Sequence, residues 1–263
     1  MEPGFFTPIA AMDESVGFSI GSPLHLAYLA YSFALIAVVV LVYRHLRGGT
    51  ALRDPRRTMM LVVAFLACGL KGSEVGIMIA TGVYNVFWWP LHPCNICVFL
   101  LVVYALAPNA FSGEVLYALG IPGGLCGILF ADWIKRSIPL NWFCWCGFTE
   151  HALLIAFPIM LIAAHDFRPR LQRIWQPMLF VCVGTPVFRA FNARHGTNYW
   201  FVSRPSPGSP LVPLAEAWGN PGYLFPLALA LFGLWFVMYL PFYLSDRRAG
   251  RGRHSKKTTR AAA

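Results

Sequence analysis

Charge is what this 263-residue chain has least of: Asp, Glu, Lys and Arg together make up 12% of it, against 57% hydrophobic residues. A chain folded mainly in water carries about a quarter of its residues as charges, so a sizeable soluble domain is excluded. No nucleotide-binding glycine motif follows a strand-like run, and no internal repeat is visible, which removes the common nucleotide-binding and repeat architectures. The first 21 residues hold Glu2, Asp13 and Glu14 but no basic residue. They lack the charged head of a secretory signal and read as a short translocated tail. Seven cysteines without a pair of C-x-x-C units do not make a disulfide or zinc framework. Cys144 and Cys146 fall in an outer "WFCWCG" segment, where a bridge between residues this close would be strained.

What the chain does have is apolar runs of 17 to 22 residues, the length that crosses a bilayer. Lipid forbids open sheet edges, so these are helices. Seven spans are expected, at about Leu24–Tyr43, Met59–Ala80, Phe87–Ala107, Val115–Trp133, Phe148–Ala164, Trp175–Phe191 and Tyr223–Leu244. The fold class is therefore an all-α, seven-helix membrane bundle over residues 22–244, after the N-terminal tail 1–21 and before a basic, disordered tail 245–263.

The net charge of +10 does not indicate nucleic acid, because of where it lies. Fifteen of the 21 basic residues fall between spans one and two, between spans five and six, or after span seven. With seven spans these share one side, which the positive-inside rule makes the cytoplasm; the N-terminus is then outside. The tail is expected to lie against anionic lipid headgroups.

Ionisable residues inside spans are costly and point to function. Here they are His25, Lys71, Glu74, His92, Glu150, His151 and Arg189. On the seven-span topology they share one layer in the outer half of the bundle. Lys71 and Glu74, three apart on one helix, also read as a self-neutralising pair, and Arg189 as a snorkelling side chain.

"WWPLHPCNIC", residues 88–97, carries the chemistry. Pro93 suits a first helical turn, which leaves His92 at the cap and Cys94 and Asn95 just inside. From Pro93 to Leu106 is only 14 residues, so this helix begins below the membrane surface. Unpaired N–H groups at a helix start stabilise a thiolate and can hold an oxyanion. His151 is the candidate general base, and Glu150 beside it faces elsewhere. Cys94 also reads as an inert packing residue, and Cys97, one turn on, as an alternative nucleophile. The long segment 192–223, rich in Pro and Gly, reads either as a lid carrying Asn198, Tyr199 and Trp200 or as a plain cover.

"PLHPCNI", "EHALL" and "GTNYWFVSRPSPGSPL" together resemble the YwaF-type bacterial integral membrane family, whose animal relative is transmembrane protein 164. The resemblance runs from about His25 to the seventh span and leaves out the basic tail. It implies a multi-pass protein of the bacterial cytoplasmic membrane that moves fatty acyl chains between phospholipid and lysolipid through a cysteine thioester, with no cofactor or metal. Cys94 would be the acyl-accepting nucleophile and His151 the base. His25, Lys71, Glu74, His92, Asn95, Arg189, Asn198 and Tyr199 are the expected lining or substrate-binding residues. Two rivals stand beside it: a zinc hydrolase using His25, His92 and His151, though no HxxxH spacing appears, and a transporter or receptor built on Lys71, Glu74 and Arg189. Oligomeric state is not legible in the sequence.

Overall fold

The computed structural model describes residues 4–13, 16–46, 54–206, 209 and 211–261, with side chains to 248. Among them the chain is all helical. Three helices start in the same way, with a capping residue followed by proline. Ser22 caps α1 (Pro23–His45) by accepting from the N–H of His25, and Asp54 caps α2 (Pro55–Ala80) by accepting from Arg56. His92 holds the cap position of α3 (Pro93–Leu106), but its side chain makes no capping bond. Proline costs nothing at these positions, since its missing N–H belongs to the set that a helix leaves unpaired.

Helix α4 (Ala110–Val115) runs through a π-helical turn at 116–120 into α5 (Ile121–Leu129). Pro122 causes the irregularity: it has no N–H for the carbonyl of Ala118. The indole of Trp235 supplies that donor at 2.6 Å. After α5 come α6 (Trp142–Ala163), α7 (Trp175–His195), the short α8 (Leu211–Trp218) and α9 (Leu224–Ala261).

Helix α6 is the centre of the bundle. Two-thirds of its most apolar window is buried, against 6% for the window in α7 and 11% for that in α9, whose faces are left for lipid. α6 packs along α1, α2 and α5. On α1, Tyr28 donates to the carbonyl of Pro139 at 2.5 Å, and the Tyr31 hydroxyl lies 2.9 Å from that of Thr149. The arginine-bearing end of the bundle is tied by Asp166, which accepts from Tyr43 on α1 at 2.8 Å and from Arg56 on α2 at 3.0 Å.

Three expectations are refined. Among the described residues six helices, not seven, are long and apolar enough to cross a membrane. The expected third span is the 14-residue α3, because Pro90 and Pro93 prevent a helix from starting at Phe87. The "WFCWCG" segment is not a loop; Asn141 caps α6 on the N–H of Phe143, which makes it the first two turns, with Cys144 and Cys146 buried and unbridged. Helix α9 continues through Ala261 where a disordered tail was expected, since Lys, Arg and Ala propagate a helix well. Its side chains from 249 on, and with them most of the expected basic surface, lie outside the described residues, as do Arg47 and Arg53.

Trp235→Phe tests the repair at Pro122. It leaves the buried carbonyl of Ala118 without a donor, a cost of about 1 kcal/mol or more. The thermal unfolding midpoint in detergent should fall by ~2–4 °C; an unchanged midpoint would refute the role given to the indole.

Candidate functional site

Helix α3 starts deep in the bundle. Its first turn lies beside Lys71, which is nine residues before the end of α2 at Ala80, about 13 Å down the helix axis. The lead-in segment 84–92 therefore runs down beside the last turns of α2 with only a single 3-10 turn at Val86–Trp88. Such backbone needs partners from the protein, and the segment 197–204 provides them. Tyr199 donates its hydroxyl to the carbonyl of Val86 at 2.6 Å, and Trp200 donates its indole N–H to that of Leu91 at 2.9 Å.

That segment is itself fastened to the end of α7. Asn192 bonds both backbone groups of Tyr199, at 2.8 and 2.9 Å, and accepts the hydroxyl of Thr197 at 2.8 Å. Asn198 closes a ring with the backbone of Arg204 at 3.0 and 3.2 Å. Trp200 has a left-handed backbone (φ 62°), uncommon for a large residue. Its ring stacks against Phe188 at 4.8 Å and Phe180 at 5.5 Å. Gly184 makes room for it: a Cβ there would lie 2.2 Å from the indole. Tyr199 and Asn198 are thus committed to the protein's own backbone.

Under this cover, the ring of His92 packs at 5.0 Å from Tyr199 and 5.1 Å from Phe201. Cys94 follows at the start of α3, at the edge of the main apolar core. The N–H groups of Cys94 and Asn95, in the first turn of α3, have no intrahelical carbonyl to bond, and the Lys71 ammonium acts electrostatically on the Cys94 sulfur. Cys97, left open as an alternative, is fully buried among Val98, Leu101 and Ala105.

Lys71 is the hub of the layer. It pairs with Glu74 within α2, so the expected intrahelical pair exists. It also pairs with Glu150 of α6 at 2.9 Å, which the sequence reading set aside. Glu150 is 2% exposed, and among the described residues no donor reaches its Oε1.

His151 points elsewhere, as adjacent residues on a helix must. Its Nδ1 lies 2.7 Å from the carbonyl of Gly147. A carbonyl only accepts, so Nδ1 carries the proton and Nε2 keeps a free lone pair. The ring lies flat over α5 at Gly127, where a Cβ would come within 2.3 Å of Nε2. Among the described residues no hydrogen bond joins His151 to Cys94.

The remaining expected residues separate. His25 accepts from the N–H of Gly21 at 3.0 Å and donates to the carbonyl of Ile128 at 2.8 Å, so one nitrogen fixes the turn before α1 and the other holds α1 to α5. Arg189 donates to the carbonyl of Val202 at 3.0 Å and lines an open cleft with Asn192, Ser203 and Arg204, away from the Lys71 layer. Among the described residues no three His, Cys, Asp or Glu side chains are placed to hold a metal ion. The three histidines do not converge because each faces a different neighbour. Glu150 was visible in the sequence as a charge inside a span. Gly127 was not, since nothing local shows which helix covers it.

These features define a polytopic, all-helical integral membrane protein with a buried polar layer around a cysteine at a helix start. The family model of the TMEM164 family matches residues 20–239, and the chain belongs to that family. No curated protein and no solved structure matches it.

Gly184→Leu checks the fastening of the cover. It should expel the Trp200 ring and expose the bonds at Tyr199 and Trp200 to chymotrypsin in the folded, detergent-solubilised protein. Protection equal to wild type would show that the ring is not what holds the segment down.

Proposed function

We propose that the protein is a membrane-embedded acyltransferase that moves a fatty acyl chain from a phospholipid to a lysolipid through a thioester on Cys94. The observation that carries this reading is the place of that sulfur: it lies in the first turn of α3, where Pro93 opens the helix and the next backbone N–H groups have no intrahelical partner. Membership of the family, whose animal relative transmembrane protein 164 works through a cysteine thioester, supports it.

In the first half-reaction the Cys94 thiol gives its proton to the free Nε2 of His151 as its sulfur attacks the donor's ester carbonyl. The two side chains are held on neighbouring helices and close on each other with substrate between them, as catalytic contacts often do only in the complex. The first-turn N–H groups of α3 hold the oxyanion. The C–O bond then breaks, the departing lysolipid alkoxide takes the proton from His151, and the acyl group stays on sulfur. The topology we assign to this reaction has seven crossings, with segment 84–92 and α3 together forming the third. The N-terminus is outside and the C-terminus in the bacterial cytoplasm, where its basic residues lie against anionic lipid.

Intact-protein mass after incubation with phospholipid should show an acyl adduct that hydroxylamine removes and that Cys94→Ala never forms. An adduct of the same stability on Cys94→Ala would move the nucleophile elsewhere. Gly127→Ala, whose Cβ would come within 2.3 Å of His151 Nε2, should displace the His151 ring and slow adduct formation at least tenfold, with an unchanged elution profile. Wild-type kinetics in that variant would remove His151 from the base's role.

A further inference from the structure

Glu150 is a buried carboxyl that the first half-reaction does not use. One of its oxygens bonds the Lys71 ammonium at 2.9 Å, while the other has no donor among the described residues and is sealed from water. Buried carboxylate oxygens are normally hydrogen-bonded, and an exception asks for an explanation. Neighbours do not supply one. From α2 the groups facing it are Lys71 and Glu74, and on its own helix His151 acts on it, with Nδ1 committed to Gly147.

We propose that Glu150 Oε1 receives the hydroxyl of the acyl acceptor and takes its proton in the second half-reaction. This rests on the thioester reading above and assigns the step which that reading leaves open.

Three features fit this use. Two carboxyls share one ammonium in a medium where charge is costly, so the layer favours taking up a proton. Second, Lys71 bonds both carboxyls, so Glu150 can turn toward an arriving hydroxyl while Glu74 still partners the ammonium. Third, Lys71 bonds Glu150 and acts electrostatically on Cys94, so the thioester and the waiting oxygen share one cation. Exclusion of water from Oε1 favours a hydroxyl that arrives on a lipid.

The step balances. The acceptor O–H breaks and its proton goes to Oε1 of Glu150. The acceptor oxygen bonds the thioester carbonyl carbon, the C–S bond breaks, and Cys94 leaves as a thiolate beside Lys71. Glu150 then returns the proton to the sulfur, which restores the thiol and the free oxygen.

The test separates the two half-reactions. Purified protein is first acylated with phospholipid and the adduct confirmed by mass; absence of any adduct in wild type would defeat the thioester reading itself. The acylated protein is then split between buffer with lysophosphatidylcholine micelles and the same buffer with an uncharged detergent. Wild type should discharge with lysolipid and be much slower without it. Glu150→Gln, nearly isosteric, should acquire the adduct and hold it at least tenfold longer in the lysolipid arm. Glu150→Asp, which keeps the carboxylate one methylene away, should recover part of the rate and serves as the variant if the glutamine protein does not fold. Discharge of Glu150→Gln at the wild-type rate would overturn the proposal. So would failure of a folded Glu150→Gln to acquire the adduct, which would place Glu150 in the first step. Equal wild-type discharge in the two arms would make water the acceptor and overturn the lipid assignment.

Discussion

In hydrocarbon no backbone N–H or C=O can be left to solvent, and much of this molecule answers to that rule. A helix meets it by construction; a chain that enters the membrane as something else must find donors and acceptors in its own protein. The segment before α3 is the clearest case. Two prolines keep it from being helical, so its carbonyls at Val86 and Leu91 are met by Tyr199 and Trp200 from a distant part of the chain. At Pro122 the same demand is met by Trp235. Each aromatic residue works as a single donor on a rigid apolar body, which suits Tyr and Trp at buried positions.

The chemistry proposed here follows from that rule. Starting α3 beside Lys71 places its unpaired N–H groups next to Cys94, in a turn that is partly buried. Near the surface the same groups would be solvated and of little use to an oxyanion. The cover that completes the lead-in segment also closes over His92 through Tyr199 and Phe201. Residues that looked like substrate contacts, Asn198 and Tyr199 among them, hold the arrangement shut; Glu150, 2% exposed, remains dry.

Lys71 makes that dryness tolerable. A lone ammonium at this depth would be expensive, and two lone carboxylates more so. Sharing one cation between Glu74 on its own helix and Glu150 on α6 couples two elements and leaves a single carboxylate oxygen without a donor. Histidines at similar depth took other tasks. His25 is a bolt between α1 and α5, and His151 is fixed by Gly147 with one nitrogen free. A shared depth in the membrane does not make a shared site, since each side chain is aimed by its own helix.

The sequence by itself determined everything that depends on neighbours along the chain. Apolar run lengths gave helices and their approximate places, and Pro93 gave the start of α3. The His92–Pro93–Cys94 order put a thiol on a first turn, and three motifs indicated the family. What it missed also has local causes. The 14-residue third helix from Pro93 to Leu106 was legible from Pro93, while the span count was not, because run length does not show whether an interrupted segment completes a crossing. The start of α6 was taken for a loop because its aromatic and cysteine residues resemble an interfacial segment. Only the tertiary structure decided which faces meet: Glu150 on Lys71, His151 on Gly127, Trp200 on Leu91. These partners are far apart in sequence and joined by helix packing, and no periodicity or spacing encodes the rotation of one helix against another.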